Sequence, residues 1–484
     1  MKLAIVVQRY GQSINGGAEL HARYIAERLR RHADIEVLTT CAADYVTWRN
    51  ELPAGLETVN GIQVRRFPVK HERDPLDFGR RSDQVFQRPH SIADELEWLD
   101  AEGPNSPGLV SHLGKHAAEY DQCIIFSYRY HHAYHAVRAV PSKAILVPTA
   151  ERDPAIGLSM FGPIFRGVRA LMYNSPEERA MIQAVAGNQS VPSVVVGVGS
   201  EIPSAVQPQR FRQKFDIRGP FAIYVGRIDE NKGCKELFDY FLTYLTESQG
   251  RLSLVLIGNS ILPVPQHPRI RHLGFLDDQD KFDAIAASDL LVMPSYFESL
   301  SMVALEAWAL GRPVVVNGRC DVLRGQAVRS GAGLYYENQQ EFVETLRALE
   351  RTRWLNVSLG RSGRQFFRDH YDWPVIERKY LDVIAGLANS PATAAIEDVP
   401  GWLERRRPAC RPAREVLAGV PAGAVLAAEP PLRRPDGEAK PALAPPSPTP
   451  PRPRTTPAPA PHVHHHRRGP HRGRPRNNQQ RGGA

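Results

Sequence analysis

The chain has 484 residues, more than one ordinary domain holds, and this length predicts two domains. Its five cysteines are scattered and odd in number, which argues against a disulfide framework or a zinc site and favours a reducing cytosol. The formal net charge of +9 comes from residues 401–484, which hold 16 basic and 5 acidic residues, so the preceding 400 residues are close to neutral and no specific nucleic-acid partner is expected.

The first half of the chain alternates short apolar runs with helical patterns. The run LAIVV at 3–7 predicts a buried strand, and Gly16 and Gly17 stand between it and a helix. A glycine loop before a helix N-terminus lets backbone amides approach a pyrophosphate, although a Gly-Gly pair is more often only a turn. The pattern predicts a parallel sheet covered by helices. Further predicted strands are 35–40, 62–69, 122–127, 144–149, 170–175 and 193–199.

Histidines and an arginine cluster after the predicted strand at 122–127. The segment SYRYHHAYHAVR contains Arg129, His131, His132 and His135. Metal ligation would need convergent ligands and a carboxylate or cysteine partner. Without such a partner in the pattern, an acceptor-binding cluster or a plain surface cluster is the favoured interpretation, and no catalytic role is assigned.

A second polar group follows the predicted strand at 144–149. Glu151, Arg152 and Asp153 come just past the strand end, at the edge where open α/β sheets bind their ligands. Glu151 could contact a bound ligand or stabilise positive charge that develops in a reaction. A salt bridge with Arg152 or a helix cap explains it equally well.

A phosphate site is predicted after the strand FAIYV at 221–225. The strand is followed at once by Gly226 and Arg227, and then by Lys232 and Gly233. Glycine permits a sharp turn, while the guanidinium and the ammonium both suit phosphate oxygens. The following residues have helical spacing. Solvated surface charge is the plainer alternative for each cation taken alone.

Two glutamates, Glu298 and Glu306, stand eight positions apart in PSYFESLSMVALEAWALGRPVVV. A strand ends before Pro294, and residues 301–310 predict a helix. The two carboxylates can therefore line one cleft at the carboxyl end of the strand. The free backbone N–H groups at the helix start would suit an anion there. These groups belong to Leu300, Ser301 and Met302. Helix capping is the plainer alternative for either glutamate.

The last part of the chain is rich in proline, arginine and histidine. Residues 401–484 contain 18 of the 41 prolines and few apolar residues, which predicts disorder. Attraction to anionic lipid and weak nucleic-acid binding are open roles, and solubility is the default interpretation. No apolar run of 18 residues and no signal-peptide core occur, so a cytoplasmic protein is expected, with peripheral contact at the inner face of the plasma membrane left open.

The paired motifs GRIDENKG (226–233) and ESLSMVALE (298–306) resemble the retaining glycosyltransferases of family 4, which carry Gly-Arg…Lys-Gly and Glu-x7-Glu in this order and spacing. Other segments of the second half resemble the successive strands and connectors of the same family. They are LVLIGN, IRHLGFLDD, ASDLLVMPS, GRPVVV, NGRCDVLRG and GAGLYY. The resemblance covers about residues 1–390, more strongly in the second half than in the first.

The resemblance implies an α/β protein of the GT-B fold, in which two Rossmann-like domains face each other across a donor-binding cleft. The implied boundaries are 1–203 for the acceptor-side domain, 204–371 for the nucleotide-sugar-binding domain, 372–392 for a closing helix that packs back on the first domain, and 393–484 for the disordered tail. The implied reaction moves a hexosyl group from a nucleotide diphosphate sugar to an acceptor hydroxyl with retention. A glycan or lipid-linked glycan in polysaccharide assembly is the implied acceptor.

The resemblance also implies roles for individual residues. Glu298 would bind sugar hydroxyls and Glu306 the nucleotide ribose, while Arg227 and Lys232 would stabilise the leaving diphosphate. Glu151 occupies the position where the family commonly has a histidine, so its role stays open. The predicted backbone contacts to the donor come from Gly16, Gly17, Gly226, Leu300, Ser301 and Met302. Cationic side chains would replace a metal, and no cofactor is expected.

Two other functions remain open at this point. A sugar-nucleotide epimerase or hydrolase on the same fold would bind the same donor. A non-catalytic adaptor would act through the basic tail and bind no donor.

Overall fold

The computed structural model describes residues 1–14 and 16–388, together with residues 390, 396 and 418. Within these residues the chain forms two β-sheets flanked by helices, and both sheets belong to one compact unit. We call the eight-stranded sheet with its helices the first lobe, and the six-stranded sheet with its helices the second lobe. The tail predicted over 393–484 lies outside the described residues, apart from residues 396 and 418.

The first lobe contains an eight-stranded sheet in the order β3-β4-β2-β1-β5-β6-β7-β8. Its neighbouring strands are parallel except for β3 and β4, which pair antiparallel through a tight turn at Asn60 and Gly61. The strands β5, β6 and β7 consist of buried residues, and so does β1 apart from Lys2, as expected for a sheet covered on both faces. The strands are β1 (Lys2–Val6), β2 (Asp34–Thr40), β3 (Gly55–Val59), β4 (Ile62–Phe67), β5 (Gln122–Phe126), β6 (Ala144–Val147), β7 (Ala170–Tyr173) and β8 (Ser193–Val195).

Local capping signals define several helices of the first lobe. Ser91 and Asp94 form a capping box at one helix start, and Ser175 accepts a hydrogen bond from the Glu178 N–H at another. The α-helices are α1 (Gly17–Leu29), α2 (Pro75–Gln87), α3 (Ile92–Glu102), α4 (Pro107–Lys115), α5 (His131–Ala139), α6 (Phe161–Gly167) and α7 (Pro176–Ala186).

The second lobe contains a fully parallel six-stranded sheet in the order β11-β10-β9-β12-β13-β14. The strands are β9 (Phe221–Val225), β10 (Ser253–Ile257), β11 (Ile270–His272), β12 (Leu290–Met293), β13 (Val314–Asn317) and β14 (Gly333–Tyr336). The helices are α8 (Pro208–Lys214), α9 (Cys234–Glu247), α10 (Asp278–Ala287), α11 (Met302–Ala309), α12 (Asp321–Ser330), α13 (Gln339–Arg351) and α14 (Arg353–His370).

A final helix, α15 (Trp373–Ala388), follows the second lobe and packs on α1 of the first. The hydroxyl of Tyr380 and Nε2 of His21 are 2.9 Å apart, and both side chains are buried. The ring of Trp373 meets that of Tyr24 edge-on at 5.7 Å. These contacts tie the segment that leaves the second lobe to the helix behind the Gly16 loop.

The order of strands changes direction once in each sheet. In the first lobe the chain runs from β1 outward to β2 and β4, and then returns to β5 on the other side of β1. In the second lobe it runs from β9 to β10 and β11, and then returns to β12 on the other side of β9. Ligands of open α/β sheets bind outside the carboxyl ends of the strands at such switch points.

No helix in the described part of the chain combines the length and the apolar character that crossing a membrane requires. The four cysteines within the described residues are buried, free thiols.

Candidate functional site

A cavity of about 740 Å³ lies at the carboxyl ends of both sheets. Its walls are formed by the loops after β1, β2, β5, β6, β7 and β8 of the first lobe and after β9 and β12 of the second lobe. Both switch points therefore open into one cavity. The predicted site residues that line it are Gly16, Gly17, Glu151, Gly226, Arg227, Lys232, Glu298, Leu300, Ser301 and Met302.

A single buried carboxylate organises the loop after β9. Asp229 is 3% exposed and accepts hydrogen bonds from Nε of Arg227 and from the backbone N–H of Lys232, the latter at 2.7 Å. Both predicted phosphate-binding cations are thus positioned by the residue between them. The carbonyl of Arg227 also accepts a hydrogen bond from the Tyr224 hydroxyl at 2.6 Å.

The glycine at the end of this loop is required by its surroundings. Gly233 has a φ of +71°, and a Cβ atom built there would lie 2.2 Å from the carbonyl oxygen of Pro294, which follows β12. Only glycine combines a left-handed backbone with such a close approach. The contact brings the loop after β9 against the loop after β12, and so places Lys232 next to Glu298.

Opposite charges meet at the centre of the cavity. Nζ of Lys232 donates to Oε1 of Glu298 at 2.8 Å, and the two side chains are 29% and 11% exposed. Burial opposes the charge of Lys232, but Glu298 and Glu151 together outweigh it and raise the pKa of the ammonium. Lys232 is therefore firmly cationic. Glu298 comes from the second lobe and Glu151 from the first, so the ammonium lies where both lobes contribute negative charge.

Glu151 occupies an environment that disfavours its charge. Burial raises its pKa, the Lys232 ammonium lowers it, and Glu298 and Asp153 raise it again. We expect its protonation to depend on what occupies the cavity, because a bound anion or a displaced Lys232 would change this balance.

A buried carboxylate fixes the backbone next to Glu151. The Glu178 side chain accepts hydrogen bonds from the backbone N–H groups of Ala150 at 2.6 Å and of Asn174 at 2.5 Å. It thereby joins the loops that follow β6 and β7. Burial raises the pKa of Glu178 to about 8, against the effect of these donors.

The two glycines before α1 differ in their surroundings. A Cβ atom at Gly16 would lie 2.1 Å from Oε2 of Glu19, whereas a Cβ at Gly17 would meet nothing within 4 Å. Glu19 is held by Arg9, whose Nε and Nη2 donate to Oε1 at 2.8 and 2.6 Å. Arg9 also donates to the Ala43 carbonyl at 2.7 Å. Gly16 therefore accommodates an ion pair, while Gly17 leaves open space at the helix N-terminus.

The two lobes also meet through Tyr45, on the loop that follows β2. Its hydroxyl accepts a hydrogen bond from Nη1 of Arg227 at 2.5 Å, and the guanidinium lies 5.6 Å from the ring centre. The Arg9 guanidinium lies at the same distance from this ring. Tyr45 thus separates two cations that face each other across the cavity.

A buried network forms the wall of the cavity after β5. Arg129 donates to Oε1 of Glu102 at 3.0 Å and to Asp153, and Arg73 pairs with Oε2 of Glu102 at 2.7 Å. Burial opposes the charge of Arg129, but Glu102 and Asp153 raise its pKa. Arg129 is held in place from both sides and faces the cavity together with Asp153.

Glu306 does not line the cavity. The sequence predicted that Glu298 and Glu306 share one cleft, and the structure differs from this prediction. Its side chain is 2% exposed, and Oε1 contacts Oγ of Ser200 at 3.0 Å and Nζ of Lys281 at 3.1 Å. Oε2 is buried and has no hydrogen-bond partner among the described residues. One turn into α11, Glu306 lies on the face of the helix that packs inward.

The start of α11 is also less open than the sequence predicts. Ser301 is the N-cap, and its hydroxyl accepts a hydrogen bond from the Ala304 N–H at 3.3 Å. Its own N–H donates to Oε1 of Gln326 at 3.3 Å. One of the three N–H groups expected to be free is therefore occupied.

The histidines after β5 are not a surface cluster. His131 is 6% exposed and His132 is fully buried, because α5 packs between α3 and α6. Only Arg129 of the cluster lines the cavity.

Three residues that line the cavity were not predicted from the sequence: Arg9, Glu19 and Tyr45. Arg9 follows β1 directly, which is the available signal, because the switch point lies at that strand end. Tyr45 lies in a segment without any motif, and its contact with the second lobe depends on how the lobes meet.

Comparisons with known proteins identify related sequences and folds. The family model described as "Glycosyl transferases group 1" matches residues 219–351, from β9 to α13. The mannosylfructose-phosphate synthase of Agrobacterium fabrum is 24% identical over 213 residues, which cover 40% of this chain and 46% of that protein. The chain thus spans less than half the length of this relative.

Solved structures resemble the whole described part of the chain. Sucrose-phosphate synthase from Thermosynechococcus elongatus has a TM-score of 0.59 at 16% identity, over 80% of this chain and 98% of that one. Anabaena HepE, solved in complex with UDP and glucose, has a TM-score of 0.57 at 17% identity, over 80% and 100%. The fold is GT-B. The predicted fold class is thus confirmed, and the family match and the fold together support a glycosyltransferase.

Proposed function

We propose that this protein is a retaining, metal-independent glycosyltransferase, which moves a hexosyl group from a nucleotide diphosphate sugar to a hydroxyl group of a glycan or lipid-linked glycan. The observation that carries the proposal is the Lys232–Glu298 pair, 2.8 Å apart, with Glu151 facing it from the other lobe. A cation beside two carboxylates suits a ligand that combines phosphate with many hydroxyls.

The donor would bind with its diphosphate toward the cations of the second lobe. Arg227 and Lys232 come from one loop, and the N-terminus of α1 at Gly17 faces the same cavity. Guanidinium, ammonium and helix N–H groups all stabilise phosphate oxygens. Glu298 would accept hydrogen bonds from sugar hydroxyls. Oε2 of Glu306 is a buried acceptor without a partner among the described residues, which fits a ribose hydroxyl that reaches past the cavity wall.

In the proposed reaction the acceptor oxygen attacks the anomeric carbon from the face that the diphosphate leaves. The bond between the anomeric carbon and the diphosphate oxygen breaks, and its electron pair stays on the oxygen. The acceptor proton passes to that phosphate oxygen as the new glycosidic bond forms. Arg227 and Lys232 would stabilise the charge on the departing group, and Glu151 the positive charge at the anomeric carbon.

No metal-dependent step is required in this scheme, because the cations of the protein neutralise the diphosphate. The chain does contain one Asp-x-Asp sequence, at Asp278 and Asp280. These residues start α10 and contact Lys281 at 3.2 Å and Lys214 at 2.5 Å. Neither lines the cavity.

The acceptor would enter from the first lobe. The walls after β1, β5 and β6 present Arg9, Arg129, Tyr130 and Asp153 to the cavity. Donors and acceptors of both charges suit a hydroxyl-rich acceptor.

The test begins with a thermal-shift panel of UDP-, GDP- and ADP-sugars on the full-length protein and on Glu298→Gln. We expect one donor to stabilise the wild-type protein and to have a weaker effect on the variant. With that donor and a glycan acceptor, mass spectrometry should find an added hexose, NMR of the product should show the anomeric configuration of the donor, and added Mg²⁺ or Mn²⁺ should leave the rate unchanged.

Three results would overturn the proposal. An isomerised sugar or free nucleotide formed at full rate without acceptor assigns an epimerase or a hydrolase. An inverted product contradicts retention. Absence of any donor effect, together with a phenotype lost on deletion of the tail, assigns an adaptor.

A further inference from the structure

Two histidines and an aspartate converge in the first lobe, and none of the three lines the cavity described above. His131 and His135 lie four residues apart on α5, and Asp100 lies near the end of α3. One potential ligand atom of each lies within 4.8 Å of the other two. Nε2 of His131 is 3.4 Å from Oδ1 of Asp100, and the two imidazole centres are 4.3 Å apart.

We propose that Asp100, His131 and His135 bind one divalent transition-metal ion, with Zn²⁺ as the best-fitting candidate. Two imidazoles and one carboxylate, with a fourth position open to water, form a common zinc ligand set. Histidines four apart on a helix present their nitrogens on the same face, so the spacing on α5 is the one that a chelating pair requires.

The two ring nitrogens of His131 have different surroundings. Nε2 faces Asp100 at 3.4 Å and is the nitrogen available to an ion between the two side chains. Nδ1, on the other side of the ring, is buried without a hydrogen-bond partner among the described residues, so it calls for a separate partner such as water.

The charge at the end of α3 also favours a cation. Its last turn carries Asp100 and Glu102 and no basic residue, although the C-terminus of a helix favours positive charge. Arg73 and Arg129 pair with Glu102, and the metal would add positive charge beside Asp100. Arg138, which lies near His135, opposes the ion electrostatically.

The ion would act as a clamp between two helices and not as a reactant. It would join α3 to α5 just beyond the Glu102–Arg129 ion pair, which leads to Asp153 in the cavity wall. Its binding would thus stabilise the acceptor side of the first lobe.

The test uses the full-length protein without a purification tag. Three consecutive histidines near the end of the sequence are replaced, so that they do not bind the added metal. This background protein carries His464→Ser, His465→Ser and His466→Ser. The protein is stripped with a chelator and dialysed. Binding of Zn²⁺ is measured by competition with a chromophoric chelator and by thermal unfolding, and binding of Co²⁺ by its visible absorption.

We expect one tight equivalent of Zn²⁺ and a melting temperature raised by about 3 °C at a hundredfold excess over Kd. Asp100→Asn, on a half-exposed side chain, should weaken binding by more than about 100-fold, since even loss of an outer-shell partner costs 10- to 100-fold. His135→Gln should do the same. Neither should change the melting temperature of the metal-free protein by more than about 1 °C.

A matched control is available on α4. His112 and His116 are also four residues apart, with stacked rings 4.2 Å between centres, but they do not belong to the convergent cluster. His116→Gln should leave the tight equivalent intact. Equal Zn²⁺ affinity of the background protein and Asp100→Asn would overturn the proposal. Failure of the background protein to bind one equivalent of Zn²⁺ tightly would also overturn it. If Asp100→Asn lowered the melting temperature of the metal-free protein by as much as Zn²⁺ raises it, the cluster would be a simple ion pair and the proposal would fall.

Discussion

Replacing Lys232 by methionine tests the centre of the site most directly. Methionine keeps the apolar stem of the side chain and deletes the ammonium that donates to Glu298 at 2.8 Å. In the proposed reaction this ammonium also faces the departing diphosphate. We therefore expect Lys232→Met to lower kcat strongly and to reduce stability moderately.

The two effects have different sizes and different causes. Loss of one preorganised donor to a developing anion costs roughly 2.7–4 kcal/mol, or about 10²–10³-fold in kcat. In the ground state, unit charges 2.8 Å apart attract by about 6 kcal/mol at an effective dielectric of ~20, before desolvation is subtracted. Removing one partner of a buried pair typically costs about 3–5 kcal/mol. Lys232 is 29% exposed beside an open cavity, so we expect a stability loss of about 3 kcal/mol or less.

The assay separates these effects with a second variant. In Lys232→Met/Glu298→Gln the carboxylate left without its partner is neutralised, so most of the lost stability should return in urea unfolding. Product formation should stay low, because both polar contacts to the donor are missing. Lys235→Met is the matched control: this lysine lies in the first turn of α9, just after the loop that carries Lys232. It is mostly exposed and does not line the cavity, so kcat should not change.

Two outcomes would refute the reasoning. A kcat of Lys232→Met within about threefold of the wild-type value would mean that the ammonium does not stabilise the departing group. Recovery of activity together with stability in the double variant would assign Lys232 a purely structural role.

Three further predictions concern stability. Gly233→Ala should destabilise the protein by about 2 kcal/mol or more, because of its positive φ and the 2.2 Å approach to Pro294. The control Gly386→Ala, at an exposed helix position, should be neutral or stabilising, and equal urea midpoints of the two variants would contradict the prediction. Burial lowers the pKa of His21 to about 3, so its stabilising contribution is complete above pH 6.5 and is lost as the pH falls toward 3. Between pH 7 and 5 the wild-type protein should therefore lose about 2 kcal/mol more unfolding free energy than His21→Gln, and parallel pH profiles would contradict this. Glu178→Gln should cost about 1–3 kcal/mol in the same assay at pH 9, where Glu178, with a pKa of about 8, is ionised, because the amide N–H₂ group would face a backbone N–H. An unchanged midpoint at this pH would show that the carboxylate does not hold the two loops.

Much of the fold follows from local pattern, and the exception is instructive. The buried strands were visible as apolar runs, because a parallel sheet covered on both faces needs them. Strand β3 (Gly55–Val59) was missed, since it is an exposed edge strand without an apolar run. Its pairing depends on the turn at Asn60 and Gly61, where both residues have positive φ.

Site residues were predictable where a motif follows a strand. They were less predictable where helix packing determines which way a side chain points. Arg227, Lys232 and Glu298 line the cavity because each follows a central strand of the second sheet. Glu306 does not, and its helix explains why. Residues 304–308 of α11 are all buried, so the helix has no polar stripe from which the orientation of Glu306 could be deduced.

The role of Asp229 also depended on folding. The residue lies between Arg227 and Lys232 in the sequence. Only the turn of the folded loop brings its two carboxylate oxygens to the guanidinium of Arg227 and to the backbone N–H of Lys232. The convergence of Arg9 and Arg129 is likewise a matter of topology, since strands β1 and β5 are neighbours although 120 residues separate the two arginines in the chain.

The unequal neighbours of the Gly-Gly pair have a practical bearing on how mutational data are interpreted. An alanine methyl at Gly16 would displace a carboxylate that Arg9 holds, so any loss of turnover there mixes a broken ion pair with a blocked ligand. A methyl at Gly17 enters vacant space in the protein alone. If Gly17→Ala lowers turnover without changing the melting curve, the methyl group must exclude the substrate sterically. This position therefore measures how closely the substrate approaches the backbone.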